Sequence, residues 1–140
     1  MANSGVRIRA VAAEIVDGVI NGGQSLDALI SDNESRLPPG ERPLLRNLCY
    51  GVLRHHWQLQ GWIERLLDRP LKRRDRVINA LLAVGLFQVE LTRIPDHAAV
   101  SQTVEAVRQL RRPKLAGVVN ACMRRFMREG LASALSLIHI

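Results

Sequence analysis

The sequence has few of the residues, and none of the short motifs, on which most metal sites and cofactor-dependent enzymes are built. Among 140 residues, two are cysteines, four are histidines and 4% are aromatic. There is no CxxC pair, no GxGxxG turn and no glycine-rich phosphate loop. His55 and His56 are sequence neighbours, so they point to different sides of a helix and make a poor metal pair. These absences argue against a metal site and against independent catalysis.

Long apolar runs are absent as well. No run reaches the roughly 18 to 20 residues that a membrane-spanning helix needs, and Arg7, Arg9 and Glu14 interrupt the N-terminal segment in a way that a signal peptide does not tolerate. We therefore expect a cytoplasmic protein that makes no contact with a membrane. Cys49 and Cys122 lie in apolar helical patterns, which predicts two reduced thiols in the core.

Positive charge is abundant and unevenly distributed. The net charge is +7, and eighteen of the twenty basic residues are arginines. Residues 54–128 carry fifteen basic and six acidic residues, whereas residues 1–53 carry five and six. A basic surface confined to one part of a chain is typical of proteins that bind a polyanion. With so few aromatic residues, backbone contact with structured RNA is a better expectation than extensive base stacking.

The candidate phosphate-contacting residues are Arg7, Arg9, Arg54, Arg73, Arg74, Arg76, Arg111, Arg112, Lys114, Arg124, Arg125 and Arg128. Arginine suits this role because its guanidinium pairs with two phosphate oxygens at once. Arg7 and Arg9 are expected to flank the apolar stripe of the first helix rather than to fill it.

Apolar residues recur throughout at helical spacing, and no segment alternates with a period of two. The pattern predicts an all-α, compact bundle of about seven helices. The first ends at residues 21–23, Ser25 caps the second, and residues 36–43 form a loop. The third and fourth are either separate or one bent helix. The fifth, within residues 74–91, is apolar almost all round and should be the buried centre. Asp96 is expected to cap the sixth, and Pro113 to open the seventh.

Four residues are assigned structural roles. Gly51 and Gly85 lie inside helices, where glycine costs about 1 kcal/mol relative to alanine, so we expect close crossings of backbones there. Asn120 interrupts the apolar stripe of the last helix. We expect its amide to tie that helix to the preceding loop near Pro95 or His97.

Four segments occur in an order that resembles a known family: VRIRAVAAEIV, LLRNLCYGVLRH, VGLFQVELTRIPDHAAVSQTVEAV and LAGVVNACMRRF. They are similar to the NusB-like helical domain of bacterial antitermination factors. The version they resemble most stands at the N-terminus of the small-subunit ribosomal RNA methyltransferase B family, also called Fmu or Sun. The resemblance covers roughly residues 5–128.

The resemblance implies seven helices that form an RNA-binding module in front of a Rossmann-type domain. In that family the second domain binds S-adenosylmethionine and uses cysteines to methylate C5 of a cytosine in 16S rRNA. This chain contains neither the strands nor the glycine-rich turn of such a domain, and Cys49 and Cys122 do not match the catalytic cysteines. We expect residues 1–128 to be a non-catalytic NusB-like domain. Residues 129–140 are then the start of a linker, a truncation point or a cloning-derived tail.

Three functions are compatible with this sequence. The first is RNA binding and substrate positioning for a 16S rRNA cytosine-5 methyltransferase, with 16S rRNA and the catalytic domain as partners. The second is a stand-alone NusB-type transcription antitermination factor that binds RNA with a ribosomal protein. The third is a helical docking module whose arginines contact only its own catalytic domain.

Overall fold

In the computed structural model, which describes residues 4–129, seven α-helices are joined by short connections, and these residues contain no β-strand. The helices are α1 (Ser4–Ile20), α2 (Leu26–Asn33), α3 (Arg42–Arg54), α4 (His56–Leu66), α5 (Arg76–Leu91), α6 (Asp96–Gln109) and α7 (Ala116–Glu129). Short 3-10 turns stand at Glu34–Arg36, Pro39–Glu41, Arg73–Asp75 and Pro113–Leu115. The all-α prediction is confirmed, and the predicted tail beyond Glu129 lies outside the described residues.

Helix α5 is the centre of the bundle, as its all-round apolar pattern predicts. Every residue from 80 to 88 is buried, because α1, α3, α4, α6 and α7 all pack against this helix. Helix α1 is the second central element and packs against α3, α5 and α6. Contact on several sides buries almost all of residues 6–16, with Arg7 and Glu14 the exceptions.

Local chemistry explains where several helices begin and end. The Ser25 hydroxyl accepts a hydrogen bond from the Ala28 amide at 3.3 Å, so the predicted cap of α2 is confirmed. Helices α3 and α4 are separate, because His55 between them leaves the helical conformation. Two expectations were inexact. Asp96 is the first residue of α6 and makes no capping bond, and Pro113 starts a 3-10 turn that leads into α7.

Gly51 in α3 and Gly85 in α5 both face bulky side chains. A Cβ at Gly51 would lie 2.0 Å from Cζ of Phe87, and one at Gly85 would lie 2.9 Å from the Met123 side chain. The sequence predicts a close crossing of two backbones at each of these positions. The structure places side chains of α5 and α7 there, so the absence of a Cβ makes room for an aromatic ring and a thioether.

Arg9 is buried, with 3% of its surface exposed, so the prediction that it flanks the apolar stripe is wrong. Its Nε donates to Gln88 Oε1 at 2.8 Å, and its Nη1 donates to the Gly5 carbonyl at 2.8 Å. Gln88 Nε2 in turn donates to the Val84 carbonyl and to Thr103 Oγ1. Because α1 has neighbours on several sides, its second face is also core, and Arg9 lies on that face.

Candidate nucleic-acid interface

Two connections that are distant in sequence lie side by side, and Arg112 joins them. Its Nε donates to Asp75 Oδ1 at 3.0 Å and its Nη2 to the Arg74 carbonyl at 2.9 Å. Its Nη1 donates to the Leu110 carbonyl at 2.8 Å. The Arg112 guanidinium is therefore a clamp that holds the α4–α5 connection against the α6–α7 connection, and we refer to it as the Arg112 clamp.

Cations from both connections surround this clamp and form what we call the basic surface. The basic surface consists of Lys72, Arg73, Arg74, Arg76, Arg111, Arg112 and Lys114. All of them except Arg112 are exposed. Acidic partners are few: Arg76 Nε lies 3.4 Å from Asp17 Oδ1, and Arg74 Nε lies 3.9 Å from Asp75 Oδ2. The structure thus brings six of the predicted candidates together, with Lys72 added.

Arg111 has an unusual backbone conformation within the basic surface. Its φ of 61° is the one positive value at a non-glycine residue in the described part of the chain. The Arg111 amide donates to the Arg108 carbonyl, and the Arg112 amide donates to the Val107 carbonyl. These two bonds define a Schellman motif that ends α6, in which the left-handed position is usually glycine. Arginine there costs about 1 to 2 kcal/mol and adds a positive charge beside the clamp.

The remaining candidates have other positions and, in two cases, other roles. Arg9 is in the core, so its guanidinium is not available to a phosphate. Arg125 donates to the Arg65 and Leu66 carbonyls at 3.3 and 3.4 Å and pairs with Glu129 at 2.9 Å, so it caps the end of α4. The exposed candidates on other elements are Arg7 on α1, Arg54 on α3, and Arg124 and Arg128 on α7.

The predicted role of Asn120 is wrong. Its side chain is partly exposed, and its Oδ1 accepts a hydrogen bond from Arg124 Nε at 3.0 Å, one turn along the same helix. His97 is exposed and lies with Asn120 along a groove between α6 and α7, but no hydrogen bond between them is formed. The amide therefore orients an arginine on the surface of α7 and does not tie the helix to a loop.

Trp57 and the groove beside it are absent from the candidate residues that the sequence predicts. Trp57 is 85% exposed in the first turn of α4, and it lines a groove together with Lys72, Arg73 and Arg76. The signal in the sequence is an aromatic residue directly after Arg54-His55-His56. The scarcity of aromatic residues in the whole chain gives that signal little weight.

The two cysteines are buried and form no disulfide, so the prediction of two core thiols is confirmed. Burial raises the pKa of Cys49 to about 12. It also raises the pKa of Cys122, an effect that nearby Arg125 opposes. A thiol with a raised pKa is a weak nucleophile at neutral pH. Within residues 4–129, no group of three histidine, cysteine or acidic side chains is arranged to hold a metal ion.

None of the described helices is both long enough and apolar enough to span a membrane.

Comparison with known proteins gives a family and a set of longer relatives. The model of the NusB family matches residues 6–128. A ribosomal RNA small subunit methyltransferase B from Pectobacterium carotovorum is 40% identical over 126 residues, which are 90% of this chain and 29% of the relative. The protein of the same name from Yersinia pseudotuberculosis is 40% identical over 122 residues, or 87% and 28% of the two chains. The chain therefore spans less than a third of the length of these curated relatives.

Proposed function

Because the chain belongs to the NusB family, we propose that it is the RNA-binding, substrate-positioning part of a 16S rRNA cytosine-5 methyltransferase. The observation that carries this proposal is the Arg112 clamp, which holds cations from residues 72–76 and 111–114 on one surface. Phosphates that bind such a surface fix the register and orientation of an RNA without reading its sequence. In this proposal the protein acts on ribosomal RNA and is therefore located in the cytoplasm.

The methyltransferase reading is preferred to a stand-alone antitermination factor. It is supported by the name that these relatives share, ribosomal RNA small subunit methyltransferase B, and by the 28–29% of their length that this chain spans. Most cations of the basic surface have no acidic partner within the described residues, so they are available to phosphates or to acidic side chains of another domain. We infer that this surface is open to a polyanion.

The described residues do not fit S-adenosylmethionine. They include no β-strand and no glycine-rich turn, and the two thiols are buried. Cofactor binding and methyl transfer to C5 of a cytosine therefore belong, in this proposal, to another part of the protein. This chain contributes binding energy and orientation to the RNA substrate.

The substitution Arg111→Gly removes a cation and places glycine at a position whose positive φ favours that residue. The free energy of unfolding should rise by about 1 kcal/mol, so weaker binding could not be attributed to unfolding. We expect affinity for a 16S rRNA fragment to fall. The slope of log K against log salt should flatten by roughly 0.7 to 0.9, the value for one phosphate contact.

Fluorescence anisotropy across a salt series measures both quantities. The matched control is Arg93→Gln, which also removes one positive charge but lies beyond the C-terminal end of α5, about 24 Å from its N-terminal end at Arg76. Identical affinities and slopes for the two variants would exclude the basic surface as the RNA interface. Failure of the parent chain to bind the fragment at low salt would refute the proposed function.

A further inference from the structure

A groove with mixed chemistry adjoins the basic surface. It has a volume of about 530 Å³ and lies between the end of α1, helix α4 and the α4–α5 connection. Buried Val16 and Ala80 contribute to its lining, as does Ile20, which is 40% exposed. Trp57 stands at the groove and is the most exposed large apolar residue in the described part of the chain, at 85%. An indole left in water at this level is unusual, because tryptophan is highly buried on average.

Two amide side chains line the same groove. Asn79 Nδ2 donates to Gln60 Oε1 at 3.0 Å. The other two amide atoms, Gln60 Nε2 and Asn79 Oδ1, make no hydrogen bond within residues 4–129. The first can donate a hydrogen bond and the second can accept one. Paired donors and acceptors of this kind match the hydrogen-bonding edges of nucleobases.

Positive charge connects the groove to the basic surface. Lys72, Arg73 and Arg76 line the groove, and Arg73 and Arg76 also line the adjacent hollow that contains Arg112. The acidic residues of the groove are Asp17, which pairs with Arg76, and Glu64. Lys72 and Arg73 make no ion pair within the described residues. An RNA backbone that follows the basic surface therefore reaches this groove with cations beside its phosphates.

We propose that the groove binds one unstacked nucleobase of a single-stranded RNA segment, which stacks on Trp57 while its phosphate contacts Lys72 and Arg73. The inference rests on the proposed function and extends it from phosphate contact to base contact. An apolar protein segment suits the groove less well, because two amides and three cations line it. A single base is also consistent with the scarcity of aromatic residues, since one stacking surface is enough.

The test compares the parent chain with Trp57→Ala and Trp57→Phe. The probes are an unstructured RNA octamer that contains all four bases and an abasic ribose-phosphate octamer of the same charge. Trp57→Ala should weaken binding of the first probe about 5- to 150-fold, the range for one base–aromatic stack. Binding of the abasic probe should not change, and Trp57→Phe should retain most of the affinity. The control is Leu91→Ala, an exposed apolar residue at the other end of α5.

Intrinsic fluorescence provides a second readout, because the other tryptophan, Trp62, is buried. The RNA octamer should quench the emission of the parent and leave that of Trp57→Ala unchanged. Equal affinity of the parent for the two octamers would overturn the inference and assign Trp57 to a protein contact. In that case binding of the rRNA fragment that depends on Arg111 would still support the proposed function. If the parent binds neither octamer nor fragment, both proposals fail.

Discussion

At the scale of single residues, Arg9 is the one charged side chain that is buried in the described part of the chain. Burial lowers the pKa of Arg9, and the attraction of Glu41 opposes this shift. A guanidinium remains protonated in proteins despite such a shift. Its charge is therefore retained in the core, where hydrogen bonds to Gln88 and Gly5 replace those to water.

We predict that Arg9→Gln lowers the free energy of unfolding by about 1 to 3 kcal/mol. The shorter side chain does not reach both partners, which leaves the side-chain oxygen of Gln88, Oε1, buried without its donor. The matched variant is Arg7→Gln on the exposed side of the same helix turn, which should change stability by less than about 0.5 kcal/mol. Urea unfolding measures both variants, and equal midpoints would contradict the assigned role of Arg9.

Sequence reasoning placed both arginines on the right helix but assigned only Arg7 to the right face. The apolar stripe of α1 is clear from the sequence, and Arg7 is exposed as expected. The partner of Arg9 is Gln88, 79 residues further along the chain. No local pattern indicates that α1 is covered on a second face. Asn120 differs, because its partner Arg124 lies four residues further along the same helix, a spacing that the sequence does contain.

At the scale of elements, spacing and breakers placed all seven helices, because each carries an apolar stripe or ends at a glycine or proline signal. The reason for glycine at position 51 required the packed structure. The Phe87 ring lies against that turn of α3 and is itself 5% exposed. Periodicity indicates that a glycine is enclosed, but it does not tell which side chain encloses it.

We predict that Gly51→Ala lowers the free energy of unfolding by about 1 to 3 kcal/mol, because the new methyl group overlaps a buried ring. Gly61→Ala in α4 is the control. Apart from its chain neighbours and the backbone of its own helix, no atom lies within 4 Å of a Cβ at this position. The gain in helix propensity should therefore stabilise the protein by up to about 1 kcal/mol. Thermal or urea unfolding measures both. Destabilisation of equal size by both substitutions would show that overlap with the Phe87 ring does not set the effect.

At the scale of the whole molecule, the Arg112 clamp determines how the cations are arranged. The charge of residues 54–128 is evident in the sequence. The meeting of residues 72–76 with residues 111–114 was not predictable, because it depends on how α4, α5, α6 and α7 pack. Composition therefore predicts an excess of positive charge, and the fold determines where the cations meet.

We predict that Asp75→Ala weakens binding of the rRNA fragment although it raises the net charge by one. Without its carboxylate partner, Arg112 is bonded to the α4–α5 connection only through the Arg74 carbonyl, so the spacing of the cations is less firmly fixed. Stability should fall by about 1 kcal/mol. Glu105→Ala on the exposed side of α6 makes the same charge change outside the clamp. Anisotropy at fixed salt compares the two variants, and tighter binding by Asp75→Ala would show that net charge alone sets affinity.

The central position of α1 has a consequence for the synthesis of the protein. Its partners α5 and α6 are completed only at residues 91 and 109. At a translation rate of about 5 to 20 residues per second, roughly 4 to 18 seconds pass between the synthesis of residue 20 and that of residue 109. Helices α2 and α3 are made first and can cover part of α1, but the faces that pack against α5 and α6 wait for those helices. Among the described helices, α1 is thus made early and fully enclosed late.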